Sequence, residues 1–147
     1  IESLTHKLSV DRNKWILSKR NFKKLNNEIF EVFKNQKIKT PISLEGHLTE
    51  KCVYEKSKKV EYFDYSNLVF PLKLRKWKSG DRIQPLGMKG NKKVSDILID
   101  QKISMLEKDN IYVLFSNNDI IWIVGIIISE KYKIDKSSKT FYKFNAE

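Results

Sequence analysis

A chain of 147 residues, 40% of them apolar, can bury one hydrophobic core but is too short for two large domains. Its longest apolar run, residues 120–128, is shorter than the ~20 residues of a membrane-spanning helix, and its single cysteine, Cys52, excludes an internal disulfide, so we expect a cytoplasmic protein with no membrane partner. The net charge of +11 favours a polyanionic partner, although 25 lysines against 4 arginines are also typical of AT-rich coding.

The first part of the chain is predicted to be mostly strand. "HKLSV" and "WILSK", residues 6–10 and 15–19, flank the polar, turn-like stretch "DRNK". Residues 25–33 have both helical and alternating apolar spacings. We favour a strand there, followed by a turn at Asn35–Gln36 and then by "KIKTPISLEGHL".

The middle of the chain combines strands, a loop and a helix. "VEYF" and "LVF" are strand-like, and Pro71 marks a strand edge or end. Glycines and Pro85 predict a loop over residues 79–91. Apolar residues at i, i+3 and i+4 then predict a short amphipathic helix over residues 92–101, with Asn91 as its N-cap. The apolar positions of this helix are Val94, Ile97 and Leu98.

The last part of the chain returns to strands. "NIYVLF" and "DIIWIVGIII" are interpreted as two strands joined by the hairpin-type turn "SNND". "KYKI" and "TFYKF" add one or two more strands. The whole pattern predicts an α+β fold: one β-rich domain over residues 1–147 with one or two short helices.

Positive charge gathers between residues 73 and 93. Eight basic residues stand there against one acid, Asp81, so this segment carries +7 of the total +11. Coding bias spreads lysines along a chain but does not gather them with arginines. Clustered charge is the expected footprint of phosphate binding. The basic residues are Lys73, Arg75, Lys76, Lys78, Arg82, Lys89, Lys92 and Lys93.

The glycines of the same segment suggest how a phosphate would be bound. Gly87 and Gly90 have no Cβ, so their backbone amides can approach a ligand closely. They precede the predicted helix, whose free N–H groups and dipole favour an anion, with lysines around that point. Trp77 could stack on a base, but a place in the core is the better expectation for it.

Other kinds of chemistry find little support. The candidate metal ligands His6, His47 and Cys52 lack the paired short spacings of zinc sites. No G-x-S-x-G, P-loop or G-x-G-x-x-G pattern is complete. We therefore predict no catalytic residues, no metal and no cofactor in this chain.

The stretch "FPLKLRKWKSGDRIQPLGMKGNKKVSDILIDQKI", followed by "IIWIVG" and "EKYKI", resembles the C-terminal domain of bacterial tRNA(Ile)-lysidine synthetase. The resemblance is most specific over residues 68–134. One position departs from the family pattern, because Ile127 stands where an arginine is usual. The residues that carry the resemblance are Leu74, Arg75, Trp77, Gly80, Asp81, Arg82, Pro85, Gly87, Met88, Gly90, Lys92, Lys93, Ser95, Asp96 and Asp100.

The resemblance implies a fold and a function. The fold is a sandwich-like domain similar to one in the phenylalanyl-tRNA synthetase β subunit. The full-length enzyme uses ATP with Mg to ligate L-lysine to the wobble cytidine of an isoleucine tRNA with a CAU anticodon. That chemistry belongs to an N-terminal catalytic domain with an S-G-G-x-D-S pyrophosphate loop, which is absent from this sequence.

We therefore predict a tRNA-binding C-terminal domain whose partners are this tRNA and its own N-terminal catalytic domain; a homodimer is left open. The fragment alone is predicted to be inactive. Two rivals are a structural or interaction domain with no RNA contact and a self-standing editing hydrolase, which would need a polar pocket with a nucleophile or base. The predicted tRNA-binding residues are Arg75, Lys76, Lys78, Arg82, Lys89, Gly90, Lys92 and Lys93.

Overall fold

The structure, a computed structural model, describes residues 28–147 together with the backbone of two strands nearer the start of the chain. These strands, β1 (His6–Asp11) and β2 (Lys14–Lys19), lie where strands were predicted and pair antiparallel, with Leu8 opposite Leu17. The residues between the two strands and the stretch 20–27 lie outside the described residues, so the prediction for residues 25–33 is tested only from residue 28.

The other elements follow in chain order. The strands are β3 (Phe30–Val32), β4 (Lys37–Ile38), β5 (Leu44–Thr49), β6 (Val60–Asp64), β7 (Leu72–Lys76), β8 (Arg82–Ile83), β9 (Lys92–Lys93), β10 (Tyr112–Ser116), β11 (Asp119–Ile123), β12 (Ile127–Ile128) and β13 (Phe141–Ala146). The helices are α1 (Val94–Asp100) and α2 (Met105–Lys108), with 3-10 helices at Tyr65–Asn67 and Glu130–Tyr132.

Two antiparallel sheets pack face to face. One has the order β12-β11-β10-β7-β3 and the other has the order β4-β5-β13-β6. Trp122 of the first sheet contacts Phe63 and Phe144 of the second, with ring centroids 6.2 and 6.3 Å apart. Buried and exposed residues alternate along β13 and β7, and the buried side chains of both strands form part of this shared core. The predicted sandwich-like α+β fold is confirmed.

The five-stranded sheet has a second buried face, which α1 covers. Ile97 and Leu98 of the helix are buried against Val113 and Ile123 of the sheet. Trp77 packs at the edge of this cluster, and its Nε1 donates a hydrogen bond to the Lys108 carbonyl at 2.7 Å. The predicted core positions of the helix are confirmed, and Trp77 is a packing residue.

The four-stranded sheet has one position that demands glycine. Gly46 lies in the middle of β5, opposite Phe144 of β13. A Cβ at Gly46 would stand 2.5 Å from the Tyr142 ring and 2.7 Å from the Phe144 ring. Both rings are fully buried, so the missing side chain lets two large aromatic residues lie over the strand.

Two predicted strands are wrong, and a third is divided into β11 and β12. "LVF" precedes β7 and is not a strand, because the amides of Leu68 and Val69 donate to the Tyr65 carbonyl and the Ser116 hydroxyl instead of a ladder. "DIIWIVGIII" is interrupted after Ile123 by a turn in which Gly125 has a φ of +77°. "KYKI" contributes to the second 3-10 helix, which Ser129 caps.

Candidate RNA interface

Arg75 and Asp81 form an ion pair beneath the basic segment. The guanidinium donates two hydrogen bonds to the carboxylate, at 2.9 and 2.8 Å, and lies 4.5 Å from the centroid of the Phe115 ring. Only 15% and 12% of the two side chains are exposed. Burial alone would raise the pKa of Asp81, but hydrogen bonds from Arg75 and from the Lys78 N–H lower it. Arg75, which we predicted as a tRNA contact, therefore has an internal structural role.

The same ion pair positions the start of α1. The backbone carbonyl of Asp81 accepts a hydrogen bond from the Val94 N–H at 2.9 Å. Lys92 and Lys93 form β9, and the helix begins at Val94, not at residue 92. The N-cap is Lys93, without a side-chain hydrogen bond, so the prediction of Asn91 as the cap is wrong.

Backbone amides do not form the predicted phosphate cradle. The Gly87 N–H donates to the Glu130 carboxylate at 2.6 Å, and the Val94 N–H is already bonded to Asp81. α1 has only seven residues, too few to act as a separate anion site. Gly90 is exposed, and a Cβ there would meet no atom within 4 Å, so close packing does not require a glycine at this position.

β8 and β9 pair over two residues each, and this short ribbon places Lys92 and Lys93 on opposite faces. Ile83 is buried and lies opposite Lys92, whose ammonium pairs with Asp100 of α1. Arg82 lies opposite Lys93, and both are exposed. Because side chains directly opposite each other share one face of a ribbon, two positive charges stand side by side on the outer face.

Most of the other predicted residues are also exposed. Within residues 28–147, six of the eight cations of the 73–93 segment have no ion-pair partner, while Arg75 and Lys92 have one each. The six are Lys73, Lys76, Lys78, Arg82, Lys89 and Lys93. We call these six residues the basic surface.

Sequence reasoning missed Glu130, which holds the loop that carries Lys89. Its carboxylate contacts the Gly87 N–H and the Lys133 ammonium, and these two partners lower the pKa of Glu130. Its own N–H donates to the Gln84 carbonyl at 2.9 Å. No local pattern signals these contacts, since Glu130 lies more than 40 residues further along the chain.

The described residues lack the features of several other functions. Residues 28–147 contain no group of three or more histidine, cysteine or carboxylate side chains placed to hold a metal ion. Cys52 is exposed and has no disulfide partner. None of the helices among the described residues is long and apolar enough to cross a membrane.

Comparison with known sequences identifies a family. The family described as "TilS substrate C-terminal domain" matches residues 72–143. The tRNA(Ile)-lysidine synthase of Parabacteroides distasonis is 40% identical over 93% of this chain and 32% of its own length. That of Clostridium tetani is 39% identical over 77% of this chain and 24% of its own length. The chain thus spans about a third or less of these relatives.

Comparison with solved structures supports the fold. A crystal structure of a TILS C-terminal domain superimposes with a TM-score of 0.72 at 20% identity and covers 82% of this chain and 95% of that chain. An N-terminal fragment of the phenylalanyl-tRNA synthetase beta-subunit from Pyrococcus horikoshii gives a TM-score of 0.51 at 17% identity. It covers 59% of this chain and 27% of that fragment. These likenesses concern the fold alone.

Proposed function

The chain belongs to the C-terminal domain family of tRNA(Ile)-lysidine synthetase, and we propose that it binds the tRNA on which such an enzyme acts. The proposed partner is the isoleucine tRNA with a CAU anticodon, in the cytoplasm. A separate N-terminal domain would perform the ATP- and Mg-dependent ligation of lysine. In this proposal the chain supplies binding and orientation.

The facing pair of Arg82 and Lys93 carries this proposal. Like charges directly opposite each other destabilise a strand pair, and no carboxylate among the described residues pairs with either side chain. RNA phosphates bound beside them would convert this repulsion into charge-assisted hydrogen bonds. The pair therefore favours an anionic ligand more specifically than the net charge does.

The basic surface has properties that suit RNA. Its residues stand on a two-strand ribbon, on β7 and on short loops; the Arg75–Asp81 pair holds β7 next to the start of β8, and Glu130 holds the loop of Lys89. Duplex RNA is recognised mainly by its shape and through phosphate and 2′-OH contacts, which a fixed array of cations can make. Arg75 and Lys92 are not in the proposed contact set, because their charges are already paired.

The proposal is tested by measuring tRNA binding at several salt concentrations. If about five phosphates are neutralised, affinity should fall about 4–5 decades for each tenfold rise in salt, with the duplex-DNA slope as a guide. The double variant Lys89→Gln/Lys93→Gln should flatten this slope by about two units. Lys51→Gln/Lys56→Gln, which removes two exposed lysines between β5 and β6, is the charge-matched control.

Two outcomes would contradict the proposal. If the folded chain does not bind tRNA, it acts as a structural or interaction domain with no RNA contact. If both variant pairs weaken binding equally, attraction is nonspecific and the basic surface is not the site. Thermal melts run alongside should be unchanged, since surface substitutions typically alter stability by about 0.5 kcal/mol or less.

A further inference from the structure

A small polar cavity of about 80 Å³ opens beside the ribbon of β8 and β9. Its wall comes from β8, from Asn91, from the turn between β10 and β11, and from the start of the second 3-10 helix. One water needs about 10–15 Å³ of such space, so there is room for a group of several heavy atoms. A phosphate with part of its ribose fits this description.

Two cations line this cavity. Arg82 and Lys131 are both exposed, and among the described residues neither side chain has a carboxylate partner. Their backbones are fixed: Arg82 pairs with Lys93 in the ribbon, and the Lys131 N–H donates to the Ser129 hydroxyl at 3.3 Å. Asp119 is the one carboxylate on the wall, so its charged side chains sum to +1.

The rest of the wall can recognise a hydroxyl. Asp119 accepts a hydrogen bond from the Tyr132 hydroxyl on Oδ2, at 3.0 Å. Its Oδ1 and the side-chain amides of Asn91 and Asn118 make no hydrogen bond with the described part of the chain. A ribose 2′-OH both donates and accepts, and carboxylate and amide groups match both roles.

We infer that this cavity binds one ribose-phosphate unit of an RNA strand, with the phosphate held by Arg82 and Lys131 and the 2′-OH held by Asp119, Asn91 and Asn118. The inference rests on the proposed tRNA binding and extends it to residues 118–131. Arg82 belongs both to the ribbon and to the cavity wall. An RNA backbone that crosses the basic surface at Lys93 therefore continues into the cavity.

The first test counts phosphates. In this site both cations bind the same phosphate. The variant Arg82→Gln/Lys131→Gln should therefore reduce the slope of log affinity against log salt concentration by about one unit and not by two. Lys51→Gln/Lys56→Gln again serves as the control and should leave the slope unchanged. A decrease of two units would show two independent contacts and overturn the single-unit site, as would an unchanged slope.

The second test addresses the ribose. An RNA hairpin and a DNA hairpin of the same sequence are titrated with the chain and with Asn91→Ala/Asn118→Ala. The ratio of RNA to DNA affinity should fall about fivefold, the worth of one neutral hydrogen bond. Asn91→Ala alone, which leaves the β10–β11 turn intact, should lower the ratio in the same direction. An unchanged ratio in a folded variant would overturn the ribose contact.

The two levels of inference fail in different ways. If the unaltered chain does not bind tRNA, the proposed function fails and this inference fails with it. If the chain binds tRNA and Lys89→Gln/Lys93→Gln flattens the slope while the cavity variants do not, only the cavity inference is overturned.

Discussion

Glu61 is a carboxyl group on the core-facing side of β6. It lies directly opposite Phe144 of β13, which is fully buried, and opposite residues share a face. Burial raises the pKa of Glu61 from 4.5 to about 7, and the charge of Lys58 opposes the shift. Between about pH 4.5 and 7 the folded chain thus holds a proton there that the unfolded chain has already released.

This shift makes stability depend on pH in a stated direction. Between about pH 4.5 and 7 the folded state binds the extra proton, so the free energy of unfolding falls as pH rises through that window. Glu61→Gln removes the ionisation and should melt a few degrees higher than the parent at pH 8, with a smaller difference at pH 5. Thermal melts at both pH values measure this.

Glu50→Gln is the matched control, since Glu50 is exposed at the end of β5 and its substitution should change neither melt. A Glu61→Gln variant whose advantage is the same at both pH values would show that the effect is one of packing and not of ionisation.

Arg75 illustrates where reasoning from single residues fails. Its place among eight basic residues predicted an anion contact, yet the single acid of that segment, Asp81, is its partner. A lone acid within a basic run is a signal for an internal pair. Choosing Arg75 over the other cations, however, requires the turn in which the Asp81 N–H donates to the Lys78 carbonyl at 3.1 Å.

The turn Pro85–Met88 is the element that presents Lys89. The Met88 N–H donates to the Pro85 carbonyl at 3.0 Å, and Gly87 has a φ of +82°, which a residue with a side chain rarely adopts. The Leu86 N–H donates a hydrogen bond to the Ile128 carbonyl, and the Gly87 N–H donates one to the Glu130 carboxylate. The loop is therefore held to β12 by a backbone hydrogen bond and to the second 3-10 helix by a side-chain hydrogen bond.

Glu130→Ala should remove the hydrogen bond between the Gly87 N–H and the Glu130 carboxylate. The variant removes the acceptor of the Gly87 N–H, so this amide should exchange with solvent several-fold faster, roughly the effect of losing one exposed hydrogen bond. The Leu86 amide, whose partner is a backbone carbonyl, serves as the internal control. Hydrogen exchange followed by NMR distinguishes the two amides, and equal acceleration at both would mean that the whole loop depends on Glu130.

Elements were predictable where their signal was local. The spacing of Val94, Ile97 and Leu98 identified α1 because a helix buries one face. Its first residue was misplaced because Lys92 and Lys93 pair with β8, a contact that spacing along the chain does not reveal. β8 and β9, with two residues each, are likewise too short to show a period of their own.

At the scale of the whole molecule, the order of the strands was not predictable from periodicity. β13 lies between β5 and β6, although almost 80 residues separate β13 from β6. Such long-range pairings depend on how complete faces fit together, so the resemblance to a known family supplied what local patterns could not. The cavity between β8 and the β10–β11 turn was missed for the same reason.

Charge is also divided across the molecule. On the four-stranded sheet, Lys37 pairs with Glu45, and Lys143 pairs with Glu55. The six residues of the basic surface have no such partners within residues 28–147. The 73–93 segment, with +7 of the total +11, is therefore the part of the chain expected to attract polyanions most strongly.

The chain is predicted to bind tRNA but not to catalyse the ligation. Incubated with ATP, Mg²⁺, lysine and the CAU-anticodon isoleucine tRNA, it should form neither lysidine nor AMP above background, because the S-G-G-x-D-S loop of the family is absent from its sequence. The full-length synthase of Parabacteroides distasonis, assayed in parallel, should be active. Added in excess to that assay, the chain should slow the reaction by sequestering tRNA, and the double variant Lys89→Gln/Lys93→Gln should slow it less. AMP formation by the pure chain would contradict a purely binding role.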